Sequence, residues 1–173
     1  MVLAAPIAAP IDLVARDTTV LDRAISRSSS ALTNLAKTID GYYHAPTRNA
    51  ATQQKLINDD LKGAVDALDS GAKLITSTPP INALEKPAIV IKSKDLLDQI
   101  RKVSDSWVKT KTLIVANGGK QAIGDAVRQQ ARSANNFASV LISRMPGGDK
   151  EEMAKWFERE VNQAVTKSVV AFS

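Results

Sequence analysis

Apolar residues recur at intervals of three and four along five stretches of the chain, which is the period of a helix that buries one face. The fourth stretch shows the pattern clearly, with the series Ile123, Val127, Gln130, Ala134, Phe137, Leu141 and Met145. No window alternates strictly between apolar and polar residues, so the sequence predicts no strands.

Turn-forming residues separate the five stretches. They lie at 41–49, 77–87, 117–119 and 146–148. Short connections favour an antiparallel arrangement of consecutive helices. We therefore predict an all-α fold, an elongated antiparallel five-helix bundle. Asp17 and Asn49 are expected to cap the first and second helices, and Pro87 is expected to open the third.

The composition fits one domain, with 173 residues, 44% apolar residues and no cysteine. Residues 1–16 are small, apolar and interrupted by proline, and they read as a flexible leader left from a secretory or pro segment. A leader without function is the alternative. The domain is expected at 17–173, and the protein is expected to be secreted or in the cell wall.

The net charge of +5 is spread along the chain without a basic block. Nucleic-acid binding would favour clustered arginine with aromatic residues for stacking, so we expect no nucleic-acid partner. No apolar run approaches the roughly 20 residues of a transmembrane helix, so we expect no integral membrane span.

Motifs for catalysis are absent: there is no Walker loop, no dinucleotide fingerprint and no nucleophile elbow. With one histidine and no cysteine, a zinc site would need an unusual number of carboxylates. His44 is interpreted as a surface residue. We expect no enzyme, no catalytic residues, no metal site and no cofactor.

Polar residues interrupt the apolar seams, namely Ser28, Thr110, Gln130 and Ser168. A buried hydroxyl usually bonds to its own helix, which is the simpler interpretation. Alternatively, such groups point into an apolar pocket and orient an amphipathic ligand. The sequence leaves both open.

Three features of the sequence resemble those of a known family. They are the leader that ends near Asp17, the Cys-free helical chain rich in Ala, Ser and Thr, and the tryptophan-containing last helix at 151–157. The chain resembles the fungal hydrophobic-surface-binding protein A family, which includes the antigenic cell-wall galactomannoproteins. The resemblance implies a five-helix bundle with a central apolar cavity that captures long-chain fatty acids such as palmitate or arachidonate, and such capture would sequester host signalling lipid. The Ser/Thr-rich stalk and anchor of cell-wall members do not occur in this sequence, which puts attachment to the wall in doubt.

The resemblance also implies the site. The inward stripes would form the cavity wall, with Ser28 and Gln130 as carboxylate partners. The ligand-binding residues expected on this basis are Ser28, Leu32, Leu35, Leu61, Leu68, Ile100, Val103, Trp107, Gln130, Ala134, Phe137, Leu141, Phe157 and Val161. We expect a monomer that binds a long-chain fatty acid or related lipid. The alternative is a surface-adsorbing cell-wall or interaction protein that coats hydrophobic surfaces and recruits partners.

Overall fold

The computed structural model describes residues 11–44, 49–83, 85–146 and 150–173. Five helices account for most of them, and no strand occurs within these ranges. The helices are α1 (Ile11–His44), α2 (Ala50–Thr76), α3 (Lys86–Ala116), α4 (Lys120–Ser143) and α5 (Lys150–Ala171). The all-α fold with five helices is confirmed.

The five helices form a closed ring in the order α1, α2, α4, α5, α3. Consecutive helices alternate in direction, as predicted. The pair α1 and α2 is antiparallel, because Ser28 meets Ala67 whereas Thr38 meets Asp60.

Several ring neighbours are parallel, a feature that the sequence did not reveal. Along α3 and α5, Arg101 pairs with Glu160 and Asp105 with Lys167. The pair α1 and α3 is parallel too, because Thr33 meets Gln99 whereas Asp40 meets Ser106. The pair α2 and α4 is also parallel, because Gly71 lies beside Phe137 whereas Thr76 meets Arg144 just after α4. The chain therefore packs each helix mainly against helices one or two places away.

The predicted apolar seams face the inside of this ring. Leu, Ile, Val and Ala supply most of the buried surface, as the low aromatic content predicts. The largest fully buried side chains are Trp107, Tyr42 and Phe137. Removal of this apolar surface from water is the main force that holds the helices together.

The helix ends agree with the sequence in part. α1 continues N-terminal of Asp17, so Asp17 does not cap it. Residues 11–16 of the expected leader belong to α1, residues 1–10 lie outside the described ranges, and the leader boundary stays a prediction. Asn49 precedes α2 as expected, but with φ of 57° and no capping bond from its side chain. Pro87 lies in the first turn of α3 as predicted.

Two hydrogen bonds join the end of α2 and the connection to α3 to the residue that follows α4. The backbone N–H of Ile81 donates to the carbonyl oxygen of Arg144 at 2.6 Å, and the Arg144 guanidinium donates to the carbonyl oxygen of Thr76. Ile81 is itself buried. Among the helices described, none is both long and apolar enough to cross a membrane.

Candidate functional site

The interior of the ring holds every ligand-binding residue that the sequence predicts. These fourteen residues come from all five helices, and the most exposed of them, Gln130, is only 6% exposed. Burial alone does not distinguish the wall of a binding site from ordinary core. Their contact with a ligand therefore stays a prediction.

Ser28 lies where α1, α2 and α4 meet. Its hydroxyl oxygen is 2.9 Å from the carbonyl oxygen of Ala24 and 3.2 Å from that of Ala67, so it can donate to either. A Cβ atom added to Gly71 would lie 2.6 Å from Cε2 of Phe137 and 3.2 Å from the Ser28 hydroxyl. Only glycine allows the three helices to come so close. We call Ser28, Gly71 and Phe137 the glycine junction.

Gln130 has a protein partner in the interior. The indole N–H of Trp107 donates to Gln130 Oε1 at 3.1 Å, and this bond joins α3 to α4 across the ring. The Trp107 ring also meets Phe172 edge to face, with centroids 5.9 Å apart. The pair satisfies two polar groups that would be costly to bury alone.

Most other buried hydroxyls bond to backbone carbonyls. Ser93 donates to the carbonyl oxygen of Ile89 at 2.7 Å, and Ser168 donates to that of Val165 at 2.8 Å. The simpler interpretation of the seam hydroxyls therefore holds for Ser28 and Ser168. Thr110 differs, because its buried hydroxyl has no partner among the described residues.

An apolar pocket lies at the end of the bundle where α3 and α5 begin and α4 ends. We call it the end pocket, and its lining consists of Val90, Ser93, Leu141, Ile142, Met145, Met153, Trp156 and Phe157. It holds about 10 Å³ of free space, roughly the room that one water molecule needs. A long acyl chain would have to displace side chains here.

The sequence named only Leu141 and Phe157 among the residues of the end pocket. Met145 was recognised as a member of the fourth seam, but neither it nor Met153 was predicted as a site residue. The sequence could have indicated that Met145 and Met153 lie close together, because they stand on either side of the short connection between the fourth and fifth helical stretches.

Charged side chains line a shallow groove between α3 and α5. There Arg101 and Glu160 approach to 2.5 Å, and Lys167 and Asp105 to 2.6 Å. Exposed ion pairs of this kind contribute little to stability. In the described part of the chain no group of three or more His, Cys, Asp or Glu side chains could hold a metal ion.

The chain has curated relatives among fungal cell wall proteins, although no protein-family model matches it. It is 25% identical over 114 residues to cell wall mannoprotein 1 of Talaromyces marneffei, and 66% of the chain is covered. It is 29% identical over 150 residues to cell wall mannoprotein 1 of Aspergillus flavus, with 86% covered. The matched regions are 24% and 50% of those relatives, so the chain spans at most half of their length.

Solved structures share the architecture over nearly the whole chain. Ligand-binding domain 1 of the Penicillium marneffei MP1 protein, complexed with arachidonic acids, superposes with a TM-score of 0.81 at 22% identity and covers 91% of this chain and 99% of that domain. AFMP4P in complex with palmitic acid gives 0.80 at 13% identity, with 91% and 99% covered. At these identities the likeness establishes the fold. The resemblance seen in the sequence is thus confirmed: the chain is similar in sequence to fungal cell wall mannoproteins and shares the fold of the ligand-binding domains of MP1.

Proposed function

We propose that this protein binds a long-chain fatty acid between its helices. The observation that carries the proposal is the closed ring of five helices around an apolar interior, in the same fold as two solved domains that hold arachidonic and palmitic acids. Such a ring can enclose an acyl chain on all sides, which is how apolar ligands are usually held.

Binding in the end pocket requires its lining to rearrange, because this pocket has room for about one water molecule. Two of its lining residues, Met145 and Met153, have flexible unbranched side chains that adapt to irregular shapes. Met153 and Trp156 are only half-buried, so their displacement costs less than that of a fully buried side chain. The tail of the acid is therefore proposed to point toward the end pocket, which can open to receive it. The central cavity remains a prediction.

The energetics permit a useful affinity. Each methylene removed from water contributes about 0.8 kcal/mol, so a sixteen-carbon chain offers on the order of 10 kcal/mol before costs. Lost freedom of the ligand and separation of the packed helices reduce this gain by several kcal/mol. A dissociation constant near the micromolar range needs about 8 kcal/mol net, which burial together with hydrogen bonds to the head group can supply.

The site residues predicted from the sequence are proposed as the wall of the binding site. The stripes of α1 to α5 would contact the chain, and Ser28 and Gln130 would be available to the carboxylate. Ser28 already donates to a carbonyl oxygen of the protein, so it would have to exchange that hydrogen bond on binding, whereas Gln130 can donate through its side-chain N–H2 while its Oε1 still accepts from Trp107. Exchange of one hydrogen bond for another changes the free energy little.

We further propose that the protein acts as a monomer outside the cell, in the medium or the wall, and that it performs no catalysis. Its curated relatives are named cell wall mannoproteins, and the solved domains with its fold are described as ligand-binding or as a fatty-acid complex. These observations support a carrier over an enzyme.

Native mass spectrometry of the purified protein tests the proposed function. The delipidated protein is incubated with palmitic acid, arachidonic acid and octanoic acid, and the bound mass is extracted and identified. We expect stoichiometric adducts with the two long acids. Octanoic acid is the control, since it keeps the carboxylate but loses eight methylenes relative to palmitate and should not bind at the same concentration.

A protein that remains free of both long acids would contradict the proposal. That result would favour the alternative, in which the bundle adsorbs to hydrophobic surfaces without a defined site. Interfacial tension measurements on the same sample would then show the adsorption directly.

A further inference from the structure

Thr110 is the exception among the buried hydroxyls of the described residues. The residue is 0% exposed, and its hydroxyl oxygen has no hydrogen-bond partner. A threonine inside a helix commonly donates to the carbonyl oxygen four residues earlier, as Thr76 and Thr33 do here. Thr110 makes no such bond.

A buried hydroxyl without a partner is costly, because it loses its bonds to water and gains none. Valine has nearly the same shape and would fill the same space without that cost. Native proteins contain few such groups, and each calls for an explanation. A bonding partner from outside the chain would provide one.

Thr110 lies about one helical turn from the bonded pair of Trp107 and Gln130. It follows Trp107 by three positions on α3, so both side chains lie on the same face of the helix. The indole N–H of Trp107 already meets Gln130 on α4. α3 therefore places the Thr110 hydroxyl one turn from the bonded indole and amide of Trp107 and Gln130, whereas Val103 and Ile114 of the same face are apolar.

These groups suit the carboxylate of a fatty acid. A carboxylate accepts hydrogen bonds only, and bonds to a charged acceptor are stronger than bonds between neutral groups. Thr110 has a free hydroxyl proton to donate, whereas the hydroxyl of Ser28 is engaged by the carbonyl oxygens of Ala24 and Ala67. Thr110 can thus bind the head group without giving up a bond.

The distance from Thr110 to the end pocket can be compared with the length of the ligand. Between Ser93 in the end pocket and Thr110, α3 rises by about 25 Å. An extended chain of single bonds advances about 1.2 Å per bond, as an extended polypeptide backbone does, so the fifteen C–C bonds of palmitate span about 18 Å. An acid whose head is at Thr110 therefore covers most of this distance along α3, with its tail directed toward the end pocket.

We propose that Thr110, next to the Trp107–Gln130 pair, forms the subsite that receives the carboxyl group of the bound fatty acid, with the tail directed toward the end pocket. This inference rests on the proposed function, since it fixes the orientation of the ligand within the same interior.

The test compares palmitic acid with its methyl ester, by competition against a fluorescent fatty-acid analogue, in the wild type and in Thr110→Val. The variant should lose about tenfold in affinity for the acid, the effect of one hydrogen bond to a charged group. The neutral ester should change by less than about threefold. The folded state should be at least as stable as in the wild type, because an unpartnered buried hydroxyl has been removed.

Two further variants separate a head-group contact from packing. Thr110→Ser keeps the hydroxyl and should retain most of the discrimination between acid and ester. Ser168→Ala is the matched control, because Ser168 is a buried hydroxyl that already donates to Val165, and its loss should leave the ratio of the two affinities unchanged.

An equal loss for acid and ester in Thr110→Val, or no loss for either, would overturn the subsite while leaving fatty-acid binding intact. Failure of the wild type to bind palmitic acid at all would overturn the proposed function, and the subsite with it. If Thr110→Val does not fold, Thr110→Ala is measured with the same two ligands and judged by the same ratio.

Discussion

The glycine junction and the end pocket represent opposite kinds of packing within one bundle. At the junction, α2 and α4 approach so closely that a methyl group on Gly71 would collide with Phe137. At the end pocket, the half-buried Met153 and Trp156 cover a small apolar space. The junction contains a polar group with two possible acceptors, whereas the pocket is lined almost entirely by apolar side chains.

The difference indicates which part of the bundle can change shape when a ligand binds. Close interdigitation at Gly71 leaves no room between α2 and α4 for a ligand without displacement of backbone, and such displacement is costly in a densely packed interior. The end pocket can widen by rotation of methionine and tryptophan side chains alone. We therefore expect the junction to fix the arrangement of α1, α2 and α4, and the end pocket to adapt to the ligand.

The largest expected effect is that of Gly71→Ala at the glycine junction. The added Cβ would lie 2.6 Å from Phe137 Cε2, so the ring or the helix must move. We expect a loss of about 3 kcal/mol in the free energy of unfolding, at the upper end of the usual cost of overpacking. Urea denaturation followed by circular dichroism measures it.

Gly63→Ala is the control on the same helix, because nothing lies within 4 Å of a Cβ placed there. It should stabilise the protein by about 0.5–1 kcal/mol, the usual gain from alanine over glycine in a helix. If the two variants have equal stability, the close approach at Gly71 is not a constraint on the fold.

A smaller effect is expected from the Trp107–Gln130 pair, which lies on the far side of the glycine junction from the end pocket. Gln130→Leu leaves the Trp107 indole N–H without its acceptor and should cost about 2 kcal/mol of stability. Adding Trp107→Phe removes the orphaned donor, so the double variant should lose less than the sum of the single losses. Strict additivity in the double-mutant cycle would show that the bond contributes nothing.

The smallest effect concerns the tail of the ligand. Trp156→Ala widens the end pocket and should favour longer acids, by about 0.8 kcal/mol for each additional methylene that becomes buried. The ratio of arachidonate to palmitate affinity, from competition binding, reports it. Leu56→Ala is the control, since Leu56 is exposed on α2, away from the pocket. An unchanged ratio in Trp156→Ala would place the end of the tail elsewhere.

Much of the fold follows from the spacing of apolar residues, since a seam such as that of α4 must face a partner. The order of the helices in the ring does not follow, because five seams of similar width can be paired in several ways. Gly71 was also overlooked. A glycine inside a helix signals either a weak point or a close approach, and only the position of Phe137 on another helix distinguishes them.

The site was predictable only as a list of inward positions. Sequence spacing identified Ser28, Thr110 and Gln130 as polar residues in apolar seams. Which of them has a partner depends on the rotation and depth of the neighbouring helices. Gln130 accepts from Trp107 and Ser28 can donate to two carbonyl groups, whereas the Thr110 hydroxyl has no hydrogen-bond partner among the described residues. Asp17 was wrongly expected to be a cap because α1 begins earlier, at Ile11.

The order of the ring has a consequence for how the chain reaches its native state. Because α1 packs on α3 and α2 on α4, many contacts join residues far apart in sequence, and folding should be slower than in a bundle where each helix packs only on the next. The main neighbours of α5 are α3 and α4, so the ring cannot close until this last helix has been synthesised. Until α5 has been synthesised, the apolar inward faces of α3 and α4 stay exposed to solvent. Exposed apolar surface of this kind makes a nascent chain prone to aggregate.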